Sequence, residues 1–382
     1  MAFPMIEANV SFGGLEWTLD GTLHTLTHVR GWHVPCSYII ATVANPHTEL
    51  VNEFMNYGSV TVKYGKDGEY VGPITMEIIS IENEVEFSSV KVRIIAVEPG
   101  FLRLAERTRI QSFPNQTVAQ VIGTLAAESG LQTTGIKATQ GAYTFVQPNL
   151  PDMSFITKYL VPIATDTGRN APYLYTIDNN IFHLRPPNLT KEPGFEFIVD
   201  PSNETVVKRF TPVNNGVASD FTYGNQYLTY GYDFTRKGLL RHDENLDQVN
   251  EFTLNRFTYE SKFNKIQTFA YPEEWMVRAH NRNNLGRAQF VIGAEAVING
   301  EVEFFFDQVF QFTMEAFQHQ QTEYTGKYYV YGISNTLKTR LFLSELKLHS
   351  NAFLKAEQTR APRQEQLNLR VSGQTGGTFG NA

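Results

Sequence analysis

The chain has 382 residues, of which 13% are aromatic and 19% charged, and its formal net charge is −7. The negative net charge and the absence of a Lys and Arg cluster argue against a nucleic-acid-binding protein, because neutralising phosphates requires clustered cations. The single cysteine, Cys36, excludes an intramolecular disulfide, and no stretch approaches the ~20 apolar residues of a membrane span. The N-terminal segment lacks a signal-peptide pattern, so we expect synthesis in the cytoplasm.

Residues 1–105 are predicted to form a first β-barrel module. Their apolar residues alternate as in half-buried strands, except in Pro46–Tyr57, where Leu50, Val51 and Phe54 have helical spacing. The predicted elements are strands at Leu15–Leu26, Tyr38–Val43 and Val60–Tyr64, a turn at Lys66–Gly68 and a long strand pair over Gly72–Val97.

Glu82, Glu84 and Glu86 occupy one face of this long pair. Such a row has two interpretations, a glycosidase carboxylate set or a solvated strand face. Catalytic carboxylates usually come from separate elements that flank a cleft, so the solvated face is favoured.

His24 and His28 have the spacing of a metal-binding helix. However, Thr22, Thr25 and Thr27 are β-branched and favour a strand, and no acidic ligand follows. We therefore interpret both histidines as ordinary strand residues. We also predict that the Cys36 thiol is buried and inert.

Residues 106–194 are predicted to form a small α/β insert. Thr117 can cap a helix whose apolar residues recur at helical spacing, and Gly130 lies where a left-handed terminating residue is needed. Asp152 can cap a second helix with Met153 and Ile156 on its apolar side. A tight hairpin with its turn at Asp178–Asn180 completes the insert.

Residues 195–355 are predicted to form a second β-barrel module, and the polar segment 356–382 a flexible tail. In this module we predict loops or a sheet edge at Asn214–Tyr232 and a helix that begins at Pro272. A hairpin of Phe290–Ile298 and Glu301–Met314 is predicted to turn at Asn299–Gly300. A long hairpin over Thr325–Asn351 is predicted to turn at Ser334–Thr336. The fold class is thus mostly β (α+β), with two β modules around an α/β insert.

A tyrosine-rich passage lies in the second module. Its side chains fit a protein-contact surface, a carbohydrate-stacking surface or simple loop packing, and protein contact is preferred to sugar. The residues are Tyr223, Tyr227, Tyr230 and Tyr232. The sequence contains no nucleophile elbow, phosphate loop or HExxH motif, so we predict no enzymatic activity, no metal and no cofactor.

The order of β module, insert, β module and tail resembles the baseplate hub proteins of contractile phage tails. That family includes the T4-type hub and the N-terminal part of type VI secretion spike proteins. The insert stretches TVAQVIGTLAAESGL, QPNLPDMSFITKYLVPIATDTG and YLYTIDNNIFHLRP are similar to the family's helix, helix and hairpin. The stretch TGKYYVYGISNTLKTRLFLSELKLHSN looks like its late hairpin.

The resemblance implies a homotrimeric ring of pseudo-sixfold symmetry that joins a sixfold tail tube to a threefold central spike. Its partners would be other copies of itself, the spike, a tube or tube-initiator protein and other baseplate proteins. Such a ring would be assembled in the host cytoplasm and reside in the virion. Type VI spike proteins continue into a needle that this sequence lacks, so a separate needle protein is expected.

In this ring Glu82, Glu84 and Glu86 would face a channel through which DNA passes without specific binding. Two alternatives remain open. One is a tail-tube or distal-tail protein. The other is a tail-associated carbohydrate-binding or peptidoglycan-degrading protein, for which the tyrosine-rich passage would be the contact surface.

Overall fold

The structure, a computed structural model, describes residues 5–12, 15–44, 58–86, 89–166, 172–188, 192–200, 206–213, 226–233, 238–245, 264–268, 275–276, 278–279, 292–314 and 324–350. The predictions for Pro46–Tyr57, for the tail 356–382 and for Tyr223 lie outside these residues. Among the residues described, no helix is both long enough and apolar enough to cross a membrane.

The first hundred residues form strands whose alternate side chains enter one core. Val10, Val62 and Ile94 are fully buried there, as the period of two predicts. The turn predicted at Lys66–Gly68 forms at Asp67 (φ 52°) and Gly68 (φ 90°). The strands are β1 (Ile6–Phe12), β2 (Leu15–Thr18), β3 (Leu23–Gly31), β4 (Tyr38–Ala44), β5 (Ser59–Lys66), β6 (Glu69–Glu86) and β7 (Ser89–Val97).

The insert has its own core. Thr117 caps a helix through a capping box with Gln120, and Gly130 ends that helix with φ 79°, both as predicted. The elements are α1 (Pro99–Glu106), β8 (Thr108–Thr117), α2 (Val118–Glu128), β9 (Ala142–Pro151), α3 (Asp152–Phe155) with a π-helical turn (Ile156–Leu160) and a 3-10 turn (Val161–Ile163), β10 (Leu174–Asp178) and β11 (Ile181–Arg185).

The remaining strands complete a second core that contains Phe310, Phe312 and Leu346. Residues 275–276 and 278–279 are helical, as predicted, and Met276 and Ala279 enter the core of the insert. The strands are β12 (Phe195–Val199), β13 (Val207–Val213), β14 (Gln226–Asp233), β15 (Gly238–Asn245), β16 (Asn264–Thr268), β17 (Ile292–Asn299), β18 (Val309–Met314), β19 (Gly326–Lys338) and β20 (Leu341–Ser350).

A single sheet runs through both halves of the chain. Thirteen of the described strands belong to this main sheet, in the order β13-β17-β20-β19-β3-β4-β7-β6-β5-β1-β2, with β18 paired to β19 and β12 to β18. The two halves meet where β19 pairs with β3, over Gly332–Leu337 and Leu26–Gly31. Leu337 and Phe342 accordingly enter the first core, while Ile333 enters the second. The predicted mostly β (α+β) fold is confirmed.

Two turn predictions are wrong. β19 continues through Ser334–Thr336 to Lys338, and the chain turns at Thr339 and Arg340 (φ 63°). The reason is that Asn335, which suggests a turn, is fully buried and its amide exchanges hydrogen bonds with neighbouring polar groups.

The predicted Phe290–Met314 hairpin does not form either. β17 pairs with β13 and β20, whereas β18 pairs with β12 and β19. The connecting residues pack Phe304 into the second core, and Gly300 N–H donates to Phe342 O at 2.8 Å.

Two smaller predictions also differ from the structure. Leu15–Leu26 is divided by a turn into β2 and β3. Asp152 is the first residue of α3 rather than its cap, because its carboxylate is buried against Arg109.

Candidate functional site

The main sheet has one face on the two cores and an opposite face that is partly open to solvent. Cross-strand partners share a face, so the register from β13 to β6 defines this outer face continuously across both halves. The residue positions on the outer face include Arg209, Glu295, Val297, Leu343, Glu345, Lys347, Ser334, Thr336, Lys338, Thr27, Ile40, Thr42, Ile95, Arg93, Lys91, Glu82 and Glu84.

Charges on one flank of the outer face lie opposite one another. Glu82 on β6 is the register partner of Arg93 on β7, and Arg93 Nη1 lies 2.9 Å from Glu82 Oε2. Glu84 is in the same way the register partner of Lys91. Both members of the Glu82–Arg93 pair are about half exposed, so the pair contributes little to stability.

The other flank repeats this arrangement. Arg209 Nη2 on β13 lies 3.5 Å from Glu345 Oε1 on β20, across the intervening β17. Glu295 on β17 is the register partner of Lys347 on β20. The two halves of the chain therefore place oppositely charged residues side by side on the same face.

The strands between these flanks carry mostly small or β-branched residues on this face. Thr27 Oγ1 and Thr336 Oγ1 are 3.2 Å apart across the β3–β19 pairing. Gly31 and Gly332 are partners there, and a Cβ added to Gly31 would come within 2.5 Å of Gly332 Cα. Gly31 also has φ 135°, so no other residue fits this close approach without strain.

A buried ion pair links the insert to the first half of the chain. Arg30 on β3 donates to both carboxylate oxygens of Asp178 on β10, at 2.9 and 2.7 Å. Burial alone would raise the pKa of Asp178, but the Arg30 charge and hydrogen bonds hold that pKa below its ordinary value. The pair fixes the insert hairpin on the sheet.

Glu98 binds the turn of the same hairpin. Its carboxylate accepts hydrogen bonds from Ser37 Oγ at 2.9 Å and from the backbone N–H groups of Asn179 and Asn180 at 2.8 and 3.2 Å. Burial raises the pKa of Glu98, while these donors favour its charged form. The left-handed turn residues are thereby anchored to the start of α1.

A second polar chain links the insert to the other half. Trp32 Nε1 donates to the Tyr329 hydroxyl at 2.6 Å, and that hydroxyl donates to Asp307 Oδ1 at 2.5 Å. Arg185 Nη2 on β11 lies 2.8 Å from Asp307 Oδ2. Burial and the neighbouring Asp307 raise the pKa of Tyr329 well above its ordinary range, so the hydroxyl remains a donor. The insert is therefore attached to both halves of the sheet.

The predicted histidines are strand residues, as expected. His24 and His28 lie on β3, with His24 exposed and His28 fully buried. His28 Nδ1 is 2.9 Å from the Tyr64 hydroxyl, which also accepts from Asn335. Burial and the Arg30 charge lower the pKa of His28 to about 3. The Cys36 thiol is buried, and burial raises its pKa to about 12.

The predicted acidic row lies on β6, with Glu82 exposed on the outer face. Glu86 is the register partner of Ser89. Tyr227, Tyr230 and Tyr232 belong to β14, in a separate three-stranded sheet.

A cleft of about 930 Å³ lies between the insert and the second half. Its walls include Lys137 and Arg185 from the insert and Phe305 and Asp307 from the segment before β18. Within the described ranges, no group of three or more His, Cys, Asp or Glu residues is placed to hold a metal ion. The cleft brings opposite charges together at the junction.

Sequence reasoning did not identify Arg30, Asp178, Glu98 or Asp307. Arg30 lies on a threonine-rich strand, and Asp178 is predicted only as a turn residue. The available signal is a charged residue that shares its strand face by alternation with the apolar Leu26, because a buried charge requires a partner.

No protein-family model matches the sequence, and no curated protein matches it significantly. Solved structures match its fold. The tail protein from Neisseria meningitidis MC58 aligns with a TM-score of 0.64 at 10% identity, over 91% of this chain and 97% of that one. The prophage MuSo2 43 kDa tail protein from Shewanella oneidensis gives 0.64 at 10% identity, over 91% and 99%.

A chain of the Francisella PdpA–VgrG complex gives a TM-score of 0.51 at 9% identity, over 91% of this chain and 58% of that one. This chain therefore has the fold of these proteins along most of its length. The resemblance to phage tail proteins that the sequence indicated is confirmed at the level of the fold.

Proposed function

We propose that this chain is the baseplate hub of a phage tail, a homotrimeric ring of pseudo-sixfold symmetry that joins the sixfold tail tube to the threefold central spike. The outer face of the main sheet would line part of the channel for DNA. The observation that carries this proposal is the β3–β19 pairing, which makes the two halves one continuous sheet with both cores on the same side.

This architecture fits a ring built from three chains. Each chain supplies two β cores behind one uninterrupted face, so three copies supply six. A sixfold tube and a threefold spike can then both find matching contacts on one assembly. A tail-tube or distal-tail role would not require the insert that is attached to both halves.

The ends of the main sheet are candidate contacts between copies. β13 pairs only with β17, and β2 only with β1, among the strands that the structure describes. An open strand edge is a template for pairing with another chain. We propose that these two edges lie at the contacts between neighbouring subunits.

The proposed role is structural and involves no catalysis. The partners are further copies of this chain, the spike, a tube or tube-initiator protein and other baseplate proteins, in a virion tail assembled in the host cytoplasm. The domain limits 1–105, 106–194, 195–355 and 356–382 are part of this proposal. So is a protein-contact role for Tyr223, Tyr227, Tyr230 and Tyr232.

The mass of the purified chain in solution, measured by light scattering, tests the proposal. One chain has a mass of 43.3 kDa, and we expect a trimer of about 130 kDa, either alone or on addition of the spike protein from the same source. A monomer that remains monomeric with every tail protein offered would contradict it. A zymogram on peptidoglycan and a glycan-binding assay test the alternative class, and a hub gives neither lysis nor saturable sugar binding.

A further inference from the structure

We infer that the outer face of the main sheet is charge-paired, so that a double-stranded polyanion can slide along it without binding. The biological meaning of this inference rests on the proposed hub function. The pairing itself is a property of the chain and can be tested on it directly.

The first support is the position of the cations. Arg93 and Arg209 each lie within 3.5 Å of a glutamate oxygen, from Glu82 and Glu345 respectively. Lys347 has Glu295 as its cross-strand partner. A cation held beside a carboxylate presents little net field to a phosphate a few ångströms further away.

The second support is that the pairing occurs in both halves. The Glu82–Arg93 pair belongs to the first half and the Arg209–Glu345 pair to the second, and each is formed between different strands. The strands between them place Thr27, Thr42 and Thr336 on the same face. A threonine-rich strip therefore separates the two flanks, with Lys338 at the end of β19 as a further cation. Among the outer-face positions named above there are five cations and four glutamates, so this face is close to neutral although the chain carries −7.

This arrangement changes the role of the acidic row. Glu82 lies opposite Arg93 in the register and within 2.9 Å of it, so its charge neutralises a neighbouring cation instead of acting only by repulsion. Lys91 is the register partner of Glu84. A purely acidic surface would repel DNA, and an unneutralised basic surface would bind it. A charge-paired surface does neither, which suits a cargo that passes through.

Removal of the carboxylates tests the inference. The variant with Glu82→Gln, Glu295→Gln and Glu345→Gln leaves three cations without their partners. We expect it to bind a fluorescent 20-base-pair duplex at low salt, measured by anisotropy, while the unmodified chain does not. Three phosphate contacts predict an affinity loss of roughly 40-fold between 50 and 200 mM salt.

A matched control separates position from total charge. Asp20→Asn, Glu106→Gln and Glu303→Gln change the net charge equally, but these exposed residues lie outside the strands of the main sheet. We expect this control not to bind the duplex. A second variant adds Arg93→Gln, Lys347→Gln and Arg209→Gln to the three glutamine substitutions, and we expect it to lose the binding again.

Three results would overturn the inference. They are duplex binding by the unmodified chain, equal binding by the control variant, and no binding by the variant whose cations lack partners. Light scattering on the same samples keeps this question separate from the hub proposal. A persistent monomer whose outer face nevertheless behaves as described would remove the hub function and leave the charge pairing intact.

Discussion

Replacing Arg30 by methionine should destabilise the protein severely. The substitution leaves the Asp178 carboxylate, whose side chain is only 3% exposed, without the two guanidinium hydrogen bonds that it accepts at 2.9 and 2.7 Å. Breaking a buried ion pair by removing one partner typically costs about 3–5 kcal/mol, because an uncompensated charge remains buried. With an m value of about 2–3 kcal/mol/M, the urea midpoint should fall by about 1–2.5 M.

The exposed pair Glu82–Arg93 provides a matched control. Its two side chains are about half exposed, and Arg93→Met should change the free energy of unfolding by less than about 1 kcal/mol. The double variant Arg30→Met with Asp178→Leu removes both buried charges. It should recover most of the loss, because an apolar replacement of a buried pair is often neutral.

Urea unfolding followed by far-UV circular dichroism and tryptophan fluorescence measures all three variants. Tryptophan is informative because Trp32 lies at the same junction. If Arg30→Met behaves like Arg93→Met, the buried pair does not hold the insert to the sheet. A double variant as unstable as the single one would show that the loss comes from packing rather than from a buried charge.

Three further predictions concern stability. The pKa of His28 is about 3 in the folded protein and near 6.5 in the unfolded chain. Between these values only the unfolded chain binds the proton, so the free energy of unfolding falls by about 1.4 kcal/mol for each pH unit below 6.5. His28→Gln should remove this part of the slope, and the exposed His24→Gln should not. Gly31→Ala should lower the free energy of unfolding by about 2–4 kcal/mol, because the new methyl group would clash with β19 and the backbone φ is positive. Gly194→Ala should change it very little, because the space around Gly194 is open. Thr117→Ala should cost about 1 kcal/mol by removing the cap of α2.

Each of these has a contradicting outcome. A pH slope of urea midpoints that His28→Gln leaves unchanged would mean that another group causes the acid lability. Equal melting temperatures for the two glycine variants would show that the halves of the sheet do not approach as closely as the register requires. An unchanged unfolding curve for Thr117→Ala would mean that tertiary packing alone holds α2.

Local features of this fold could be predicted because their causes are local. The Asp67–Gly68 turn, the capping box at Thr117 and the Asn179–Asn180 turn all depend on residues within four positions of each other. The long hairpins of β6–β7 and β19–β20 could be predicted too. Alternation identifies the buried face of each strand.

The pairing of distant strands could not be predicted, because alternation says nothing about which strand lies alongside. β19 pairs with β3 through residues 309 positions apart, and Arg30 meets Asp178 across 148 positions. Asn335 misled the turn prediction since a buried asparagine and a turn asparagine look alike in sequence. The cross-strand partners of Glu82 and Glu84 lie within the β6–β7 hairpin, but they depend on its register, which alternation alone does not determine.

The β3–β19 pairing also determines when the first core can be completed during translation. β3 is translated about three hundred residues before its partner, and the first core is completed only when Leu337 and Phe342 arrive. Contacts of such separation form slowly because a long loop must close. Until then one edge of β3 has unpaired backbone N–H and C=O groups, which can pair with strands of other chains. The nascent chain should therefore depend on chaperones until the β19–β20 hairpin has left the ribosome, and products truncated before this hairpin should aggregate.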